Sequence, residues 1–407
     1  MARNSMGSDI SSATFAVLGA GMMGKAIAFD LRRSGAKKVI VADRELARAR
    51  KVAAFAGCSP SCARELDLSD RKATAALLRR ADVAISAASY VYNLELTRLA
   101  IETKTHLCDL GGNSWVVDDQ LALGPRAAKA GITVVPDCGL APGLAGVVVA
   151  RGFELLDSVS DVHIRVGGLP QNPKPPLDYG LLFSAQGLIN EYVEKSRIVR
   201  NGCVVEVESL AGIERLSFRG VPAKLEAFYT SGGTSTLPAT YAGRLRNLDY
   251  KTIRYRGHCE RARLLYDLGL MSGEPVDVQA MEPHASSTRA VSAARRAHAG
   301  RLSSVRPRDV LGRLFETLLP PAGKDLTLVR VTVSGLKDRR PKTWRYELVD
   351  RFDEKTGLSS MMRTTGFPTS IIAQMIARGD ISKRGVFTPE RCVPPARLLT
   401  ELEQRLA

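Results

Sequence analysis

A β-rich run, a glycine loop and an apolar-faced helix follow one another at residues 14–33, and strand-like and helical segments then alternate to about residue 140. Beyond about residue 145 the pattern changes to longer strand-like runs broken by turns. These two observations predict an α/β protein: a Rossmann-type doubly wound parallel sheet, then a second α/β domain built on a mixed or antiparallel sheet. The length of 407 residues agrees, since a single core rarely serves so long a chain.

The first strand is TFAVL (14–18), which runs into GAGMMG (19–24) and then a helix with Ala26, Ile27, Phe29 and Leu31 on its apolar side. Strand, G-x-G-x-x-G and helix in this order form a dinucleotide fingerprint. Gly19 allows the tight turn, Gly21 admits a pyrophosphate, and Gly24 lets helix and strand pack closely. Met22 and Met23 open the helix, whose free N–H groups face the phosphates. A second strand, VIVAD (39–43), ends in Asp43, where a carboxylate grips a ribose 2′-hydroxyl and repels a 2′-phosphate. NAD is therefore expected ahead of NADP, although Arg44 follows directly and tolerates a phosphate.

The alternation continues. CARELDLSD (62–70) supplies a third strand, with two readings for its end: Asp67 contacts the adenine edge, or Asp67 or Ser69 caps a helix over 70–80. DVAISAAS (82–89), THLCDLGG (105–112) and ITVVPDCG (132–139) complete the sheet, with a helix over 94–103. Ligands in such sheets lie beyond the carboxyl ends of the strands. That rule selects Ala87, Ala88, Ser89, Tyr90, Asn93, Asp109 and Cys138 as cleft positions, the small residues suiting a flat nicotinamide.

In the second domain the strand-like runs are DVHIRVGGL (161–169), CVVEVES (203–209), DLTLVRVTVSG (325–335) and KTWRYELVDRF (342–352), the last two pairing across LKDRRP. GGLPQNPKPP (167–176) is a turn-rich loop, its prolines opposing regular structure. Helix returns in PTSIIAQMIARG (368–379), stopped by Gly379, and this tail is expected to pack on the first domain. The expected division is thus a nucleotide domain over 1–140 with a returning segment over 366–407, and a substrate-binding and dimerisation domain over 141–365.

Composition narrows the class. No apolar run approaches the roughly eighteen residues of a membrane span, and the start, MARNSMGSDISSAT, has no apolar signal core. A cytoplasmic protein is the simplest expectation. Seven scattered cysteines oppose a disulfide framework, and Cys58 and Cys62 lack a second ligand pair for a metal. The net charge of +16 raises nucleic acid as a partner. Part of it lies in 283–309, a stretch with six arginines that reads as a solvated basic loop without a nucleic-acid module, its portion near 283–305 looking like an insertion, so nucleic acid is not the expected partner.

YKTIRYRGHCER (250–261) decides between a basic surface and a pocket. Read as a strand, Thr252, Arg254, Arg256 and His258 share one face and Lys251, Ile253 and Tyr255 the other. That pattern suits a carboxylate pocket, with Arg254 its bidentate partner.

VVPDCGLAPG (134–143), GGLP (167–170), EAFYTSGGTSTLP (226–238), YKTIRYRGH (250–258) and ISKRGVFTPE (381–390) resemble, in the same order, the saccharopine dehydrogenase family, and most of all its bacterial lysine 6-dehydrogenase branch. The resemblance implies NAD-dependent oxidation of the ε-amine of L-lysine to the semialdehyde, which cyclises to Δ1-piperideine-6-carboxylate, with ammonia released. It also implies a homodimer or higher homo-oligomer. Saccharopine, a secondary amine that needs more carboxylate clamps, is the alternative substrate. A catalytically silent NAD-binding protein and a nucleic-acid-associated factor are the alternatives of another class.

The reaction needs a proton acceptor, because an ammonium has no lone pair with which to expel hydride. Asp109 and His258 are the candidates. Asp109 equally suits the backbone N–H groups of the LGGN turn, and His258 a structural hydrogen bond. Tyr90 walls the nicotinamide, donates to the substrate or simply packs, and Cys138, though placed at the cleft, suits a small buried apolar position. Thr230, Ser231 and Gly232 form an anion-binding turn or a plain loop; Asn93 is a further substrate contact.

Overall fold

The computed structural model describes residues 10–182, 184–278, 303–319 and 323–407. The first sheet contains β1 (Thr14–Leu18), β2 (Lys38–Asp43), β3 (Ala63–Glu65), β4 (Val83–Ser86), β5 (His106–Asp109) and β6 (Thr133–Val135). The second contains β7 (Ser158–Pro170), β8 (Ser196–Arg200), β9 (Cys203–Val207), β10 (Glu214–Phe218), β11 (Val221–Phe228) and β12 (Asn247–Tyr255). A ribbon of β13 (Val276–Val278) and β14 (Ser303–Val305) stands apart. The chain then forms β15 (Asp325–Lys337) and β16 (Arg340–Arg351) in the second sheet and β17 (Gly385–Val386) in the first.

The first sheet is parallel throughout, in the order β17-β6-β5-β4-β1-β2-β3. Helices cover it on both sides, so β4 and β6 are buried along their whole length, which is why they read as unbroken apolar runs. Order reverses between β1 and β4, and the crevice there is where such sheets take ligands. β17 comes from the C-terminal segment, pairing Gly385 with Thr133 and Val386 with Val134. The helix Ser360–Ala377 packs on the helix Met22–Arg33, close enough that a Cβ on Gly366 would stand 2.7 Å from the Ala26 methyl. The last helix, Pro395–Leu406, sends Arg405 to the fully buried Asp30 at 3.1 Å, an ion pair that ties the chain's end to its first helix.

The second sheet is mixed, in the order β10-β11-β12-β7-β15-β16, with β12 and β7 parallel and the other neighbours antiparallel. β8 joins β12 through Leu248 and Val199, and β9 pairs with β8. Three local expectations are corrected. β7 continues through Pro170 where a loop was expected from Gly167: a Cβ on Gly167 would stand 2.5 Å from the Ile253 carbonyl oxygen, so this glycine permits close backbone approach within the sheet, while Gly168 makes room for the Met361 and Leu182 side chains. The helix expected from 368 begins at Ser360, capped by the Ser359 hydroxyl, and passes through Pro368 without stopping. The basic stretch 283–305 lies outside the described residues except for Ser303, Ser304 and Val305 in β14. Among the described residues no helix is long and apolar enough to cross a membrane.

Candidate active site

The nucleotide end is built from backbone. Gly19 takes φ +105°, and a Cβ on Gly24 would stand 1.9 Å from the Gly19 carbonyl oxygen, so turn and helix pack at a distance only glycine permits. Nothing lies within 4 Å of a Cβ placed on Gly21, which leaves open space before the helix. The helix Met22–Arg33 starts with no side-chain cap, so its first N–H groups face that space; Met22 is exposed and Met23 half-buried. This fits a pyrophosphate.

Asp43 is already engaged. Its Oδ2 accepts from the Ala20 N–H at 2.8 Å and its Oδ1 from the Glu45 N–H at 2.9 Å, so the carboxylate braces the glycine turn. Arg44, the next residue, is exposed, and its charge also reaches Asp67. Asp67 neither caps the helix nor is buried. It accepts from the backbone and hydroxyl of Ser69, which hold its carboxyl below the usual range, while Asp70 caps the helix Arg71–Leu78. Ala87 and Ala88 are half-buried beside the glycine turn, Ser89 is exposed, and the Tyr90 ring packs over Gly112. Asn93, expected to meet substrate, is instead buried against β4, where its Oδ1 accepts from the Ser86 hydroxyl at 2.9 Å.

Asp109 is fully buried and fully employed. Oδ1 accepts from the N–H groups of Gly111 (2.8 Å) and Asp137 (3.3 Å), and Oδ2 from the Gln120 amide (2.7 Å). Burial pushes its pKa up against these bonds. It shapes the turn rather than facing the cleft, as does Cys138, whose buried thiol donates to the Val135 carbonyl. The residue that bridges the domains is Asp137, which the sequence reading passed over. It sits at φ +60°, 2% exposed, with Oδ2 accepting from the Ser235 hydroxyl at 2.5 Å and Oδ1 without a partner among the described residues. Burial raises its pKa to about 8; Ser235 opposes the rise, and Asp109 and Glu390 add to it.

The second-domain cluster of charged and aromatic side chains centres on β12. Alternation puts Tyr250, Thr252 and Arg254 on one face, and the strand ends at Tyr255. Gly257, at φ +91°, turns the chain into the helix His258–Asp267, and buried Glu226 accepts the N–H groups of Gly257 and Cys259 at that helix's start. His258 and Arg256 therefore do not continue the strand face, and Arg256 is exposed. His258 Nδ1 lies 2.9 Å from the Leu177 carbonyl, which can only accept, so Nδ1 carries the proton. Nε2 then accepts from the Tyr192 hydroxyl at 2.8 Å. Burial and the nearby Arg254 charge depress its pKa to about 3. A neutral imidazole with both nitrogens bonded and Phe228 stacked on it is a structural group, not a base.

Arg254 is 3% exposed. It donates to the Ile253 carbonyl, lies 4.6 Å from the Tyr179 ring centroid, and reaches Glu191 at 3.4 Å. Burial alone would lower its pKa, but Tyr192, Tyr179 and Glu191 outweigh that and raise it. Glu191, on the helix Ala185–Val193, keeps 29% of its side chain exposed. Burial raises its pKa to about 7 against the pull of Arg254. Neither Glu191 nor Tyr179 was singled out from sequence. The expected anion turn does not form: Thr230 bonds Thr252 at 2.7 Å, the Ser231 N–H donates to the Glu191 carbonyl at 3.1 Å, and Gly232 is exposed. The loop's work is to strap this helix to the junction, where Ser235 meets Asp137.

A glycine-turn nucleotide site in one domain and a buried cluster of charged and aromatic side chains in the next are the arrangement of a two-domain, nucleotide-dependent dehydrogenase. Family models described as the saccharopine dehydrogenase NADP binding domain and the saccharopine dehydrogenase C-terminal domain match residues 15–135 and 139–407. The chain belongs to the saccharopine dehydrogenase family. It is 24% identical to the saccharopine dehydrogenase [NADP(+), L-glutamate-forming] of Pyricularia oryzae, over 96% of each chain. The protein of the same name from Schizosaccharomyces pombe is 22% identical, over 92% of this chain and 93% of that one. The apo saccharopine dehydrogenase (L-Glu forming) of Saccharomyces cerevisiae shares its fold, with a TM-score of 0.77 at 21% identity over 97% and 98% of the two chains.

These matches overturn the expected preference for NAD, because the matching domain is an NADP-binding one and the relatives are named for NADP(+). In the structure Asp43 gives one lone pair of each oxygen to the glycine turn and its neighbour, and the exposed Arg44 beside it supplies a positive charge of the kind that tolerates a 2′-phosphate.

Proposed function

We propose that this chain is an NADP-dependent oxidoreductase acting on saccharopine at the carbon that bears the secondary amine, giving L-glutamate and the aminoadipate semialdehyde. The observation that carries a charged amino-acid substrate is Arg254, a guanidinium buried among tyrosines whose Nε–H has no partner among the described residues. The names of the relatives carry the choice of saccharopine. When bound, NADP supplies the acceptor for a hydride. Arg254 holds a substrate carboxylate, which fixes the reacting carbon relative to the nucleotide crevice. Loss of hydride and a proton leaves an imine; water adds to its carbon, and the C–N bond then breaks to give aldehyde and amine. Asp137, carrying its proton at neutral pH and bonded to Ser235, holds the domain junction closed without adding a charge.

A second reading is oxidation of the primary ε-amine of L-lysine. It is favoured by the pocket itself, because Arg254 is the one buried cation on this face of β12 among the described residues, whereas saccharopine brings three carboxylates. NADPH formation from saccharopine, L-lysine, ornithine and cadaverine separates the readings. Turnover of saccharopine without lysine supports the first and the converse the second, while turnover of neither overturns both.

A further inference from the structure

We propose that Glu191, Arg254 and Tyr179 form one subsite for an α-amino acid centre, with Arg254 and the Tyr179 hydroxyl taking the carboxylate and Glu191 the ammonium. The inference rests on the amino-acid reading above and adds which end of the substrate is held.

Three observations carry it. Arg254 Nε and the Tyr179 hydroxyl are both buried and both lack a hydrogen-bond partner among the described residues. Their side chains are in contact, with the guanidinium over the ring. Buried donors left unsatisfied are destabilising, and one carboxylate placed between them would accept from both. Glu191 completes the set. Its Oε2 stands 3.4 Å from Arg254, longer than the roughly 2.7–2.9 Å of a committed charge-assisted bond, and it makes no other side-chain hydrogen bond among the described residues. Its carboxylate is therefore partly exposed, with acceptor capacity to spare.

An α-amino acid carries ammonium and carboxylate on one carbon, so a group that holds one brings the other within a few ångströms. With the α-centre held against the helix Ala185–Val193, the substrate's side chain must lead away from it. The carbon left free to meet the nucleotide is then a distal one, not Cα. The lysine-derived end is common to both candidate substrates, so the subsite specifies that end.

The test is calorimetric binding of L-lysine, Nα-acetyl-L-lysine and cadaverine to the NADPH-loaded protein and to its Glu191→Gln variant. Wild type should bind Nα-acetyl-L-lysine and cadaverine about tenfold or more weakly than L-lysine. In Glu191→Gln the penalty for acetylation should shrink to within about threefold, while the penalty for losing the carboxylate persists. Unchanged NADPH affinity and unfolding temperature in the variant establish that it is folded. An acetylation penalty equal in both proteins overturns the inference, as does a wild type that does not discriminate. Oxidation of saccharopine without detectable lysine binding overturns the subsite while leaving the proposed function standing; turnover of neither substrate defeats that function first.

Discussion

Replacing Asp137 by Asn should stabilise the protein increasingly as the pH is raised from about 4 to about 8. The carboxyl is 2% exposed, and burial lifts its pKa from an ordinary 3.8 to about 8. Between those values the folded protein holds a proton that the unfolded chain has released, so the stability of wild type falls with each unit of rising pH. Above about 8 both states are ionised and the penalty is constant; below about 4 both are protonated and it is absent. At ~1.4 kcal/mol per unit, the shift caps the effect near ~6 kcal/mol, and with partial relaxation of the site we expect ~2–4 kcal/mol at pH 8.5. Asn keeps an oxygen for the Ser235 hydroxyl, and any fixed packing cost moves every pH point equally, so the slope is the readout. Urea unfolding of both proteins from pH 4.5 to 8.5 measures it. A stability difference that is flat across that range would refute the assignment of a buried, proton-holding carboxyl at the junction.

Other substitutions test the remaining assignments. Arg44→Ala should weaken NADPH about tenfold or more, and NADH by less than about threefold, in fluorescence titrations; equal losses would remove Arg44 from the 2′-phosphate. Gly24→Ala places a methyl 1.9 Å from the Gly19 carbonyl oxygen and should cost about tenfold or more in affinity for either nucleotide, seen in the same titrations. His258→Ala should cost ~2–4 kcal/mol in urea unfolding, from the lost ring and the stranded Tyr192 hydroxyl. It should leave the pH limbs of kcat/KM in place, because a neutral, doubly bonded imidazole does not titrate in the working range; a limb that disappears would return His258 to catalysis.

What could be read from the chain alone follows from which constraints are local. The glycine turn was legible because backbone crowding leaves few solutions: the 1.9 Å approach at Gly24 is written in the missing side chain itself. Asp43 was legible as a position but not as a brace, since nothing in VIVAD reveals that its two oxygens each accept a backbone N–H, from Ala20 and Glu45. Arg254 was found by period two, and His258 was misplaced by the same rule, because the strand stops at Tyr255 and Gly257 starts a helix. A period holds only while the element lasts, and a glycine two residues past the strand was the available warning.

Glu191 shows the harder limit. On an amphipathic helix, a glutamate beside asparagine and tyrosine reads as one more solvated polar residue. It gains a pocket role only because β12, some sixty residues later in the chain, brings Arg254 to within 3.4 Å and the tyrosines close around both. The same holds across the domains for Asp137 and Ser235, which meet at 2.5 Å although 98 residues separate them. Even the positive charge follows this logic in part: Arg165 and Lys251, on the face of the sheet opposite Arg254, are neutralised by Asp249 and Glu214, so a count of basic residues overstates the free charge. Turns and pleats are properties of a few adjacent residues and survive in the sequence. A carboxylate's working pKa, or a guanidinium's missing partner, belongs to neighbours that only the fold assembles, so the nucleotide end could be read from the chain and the substrate end had to be built.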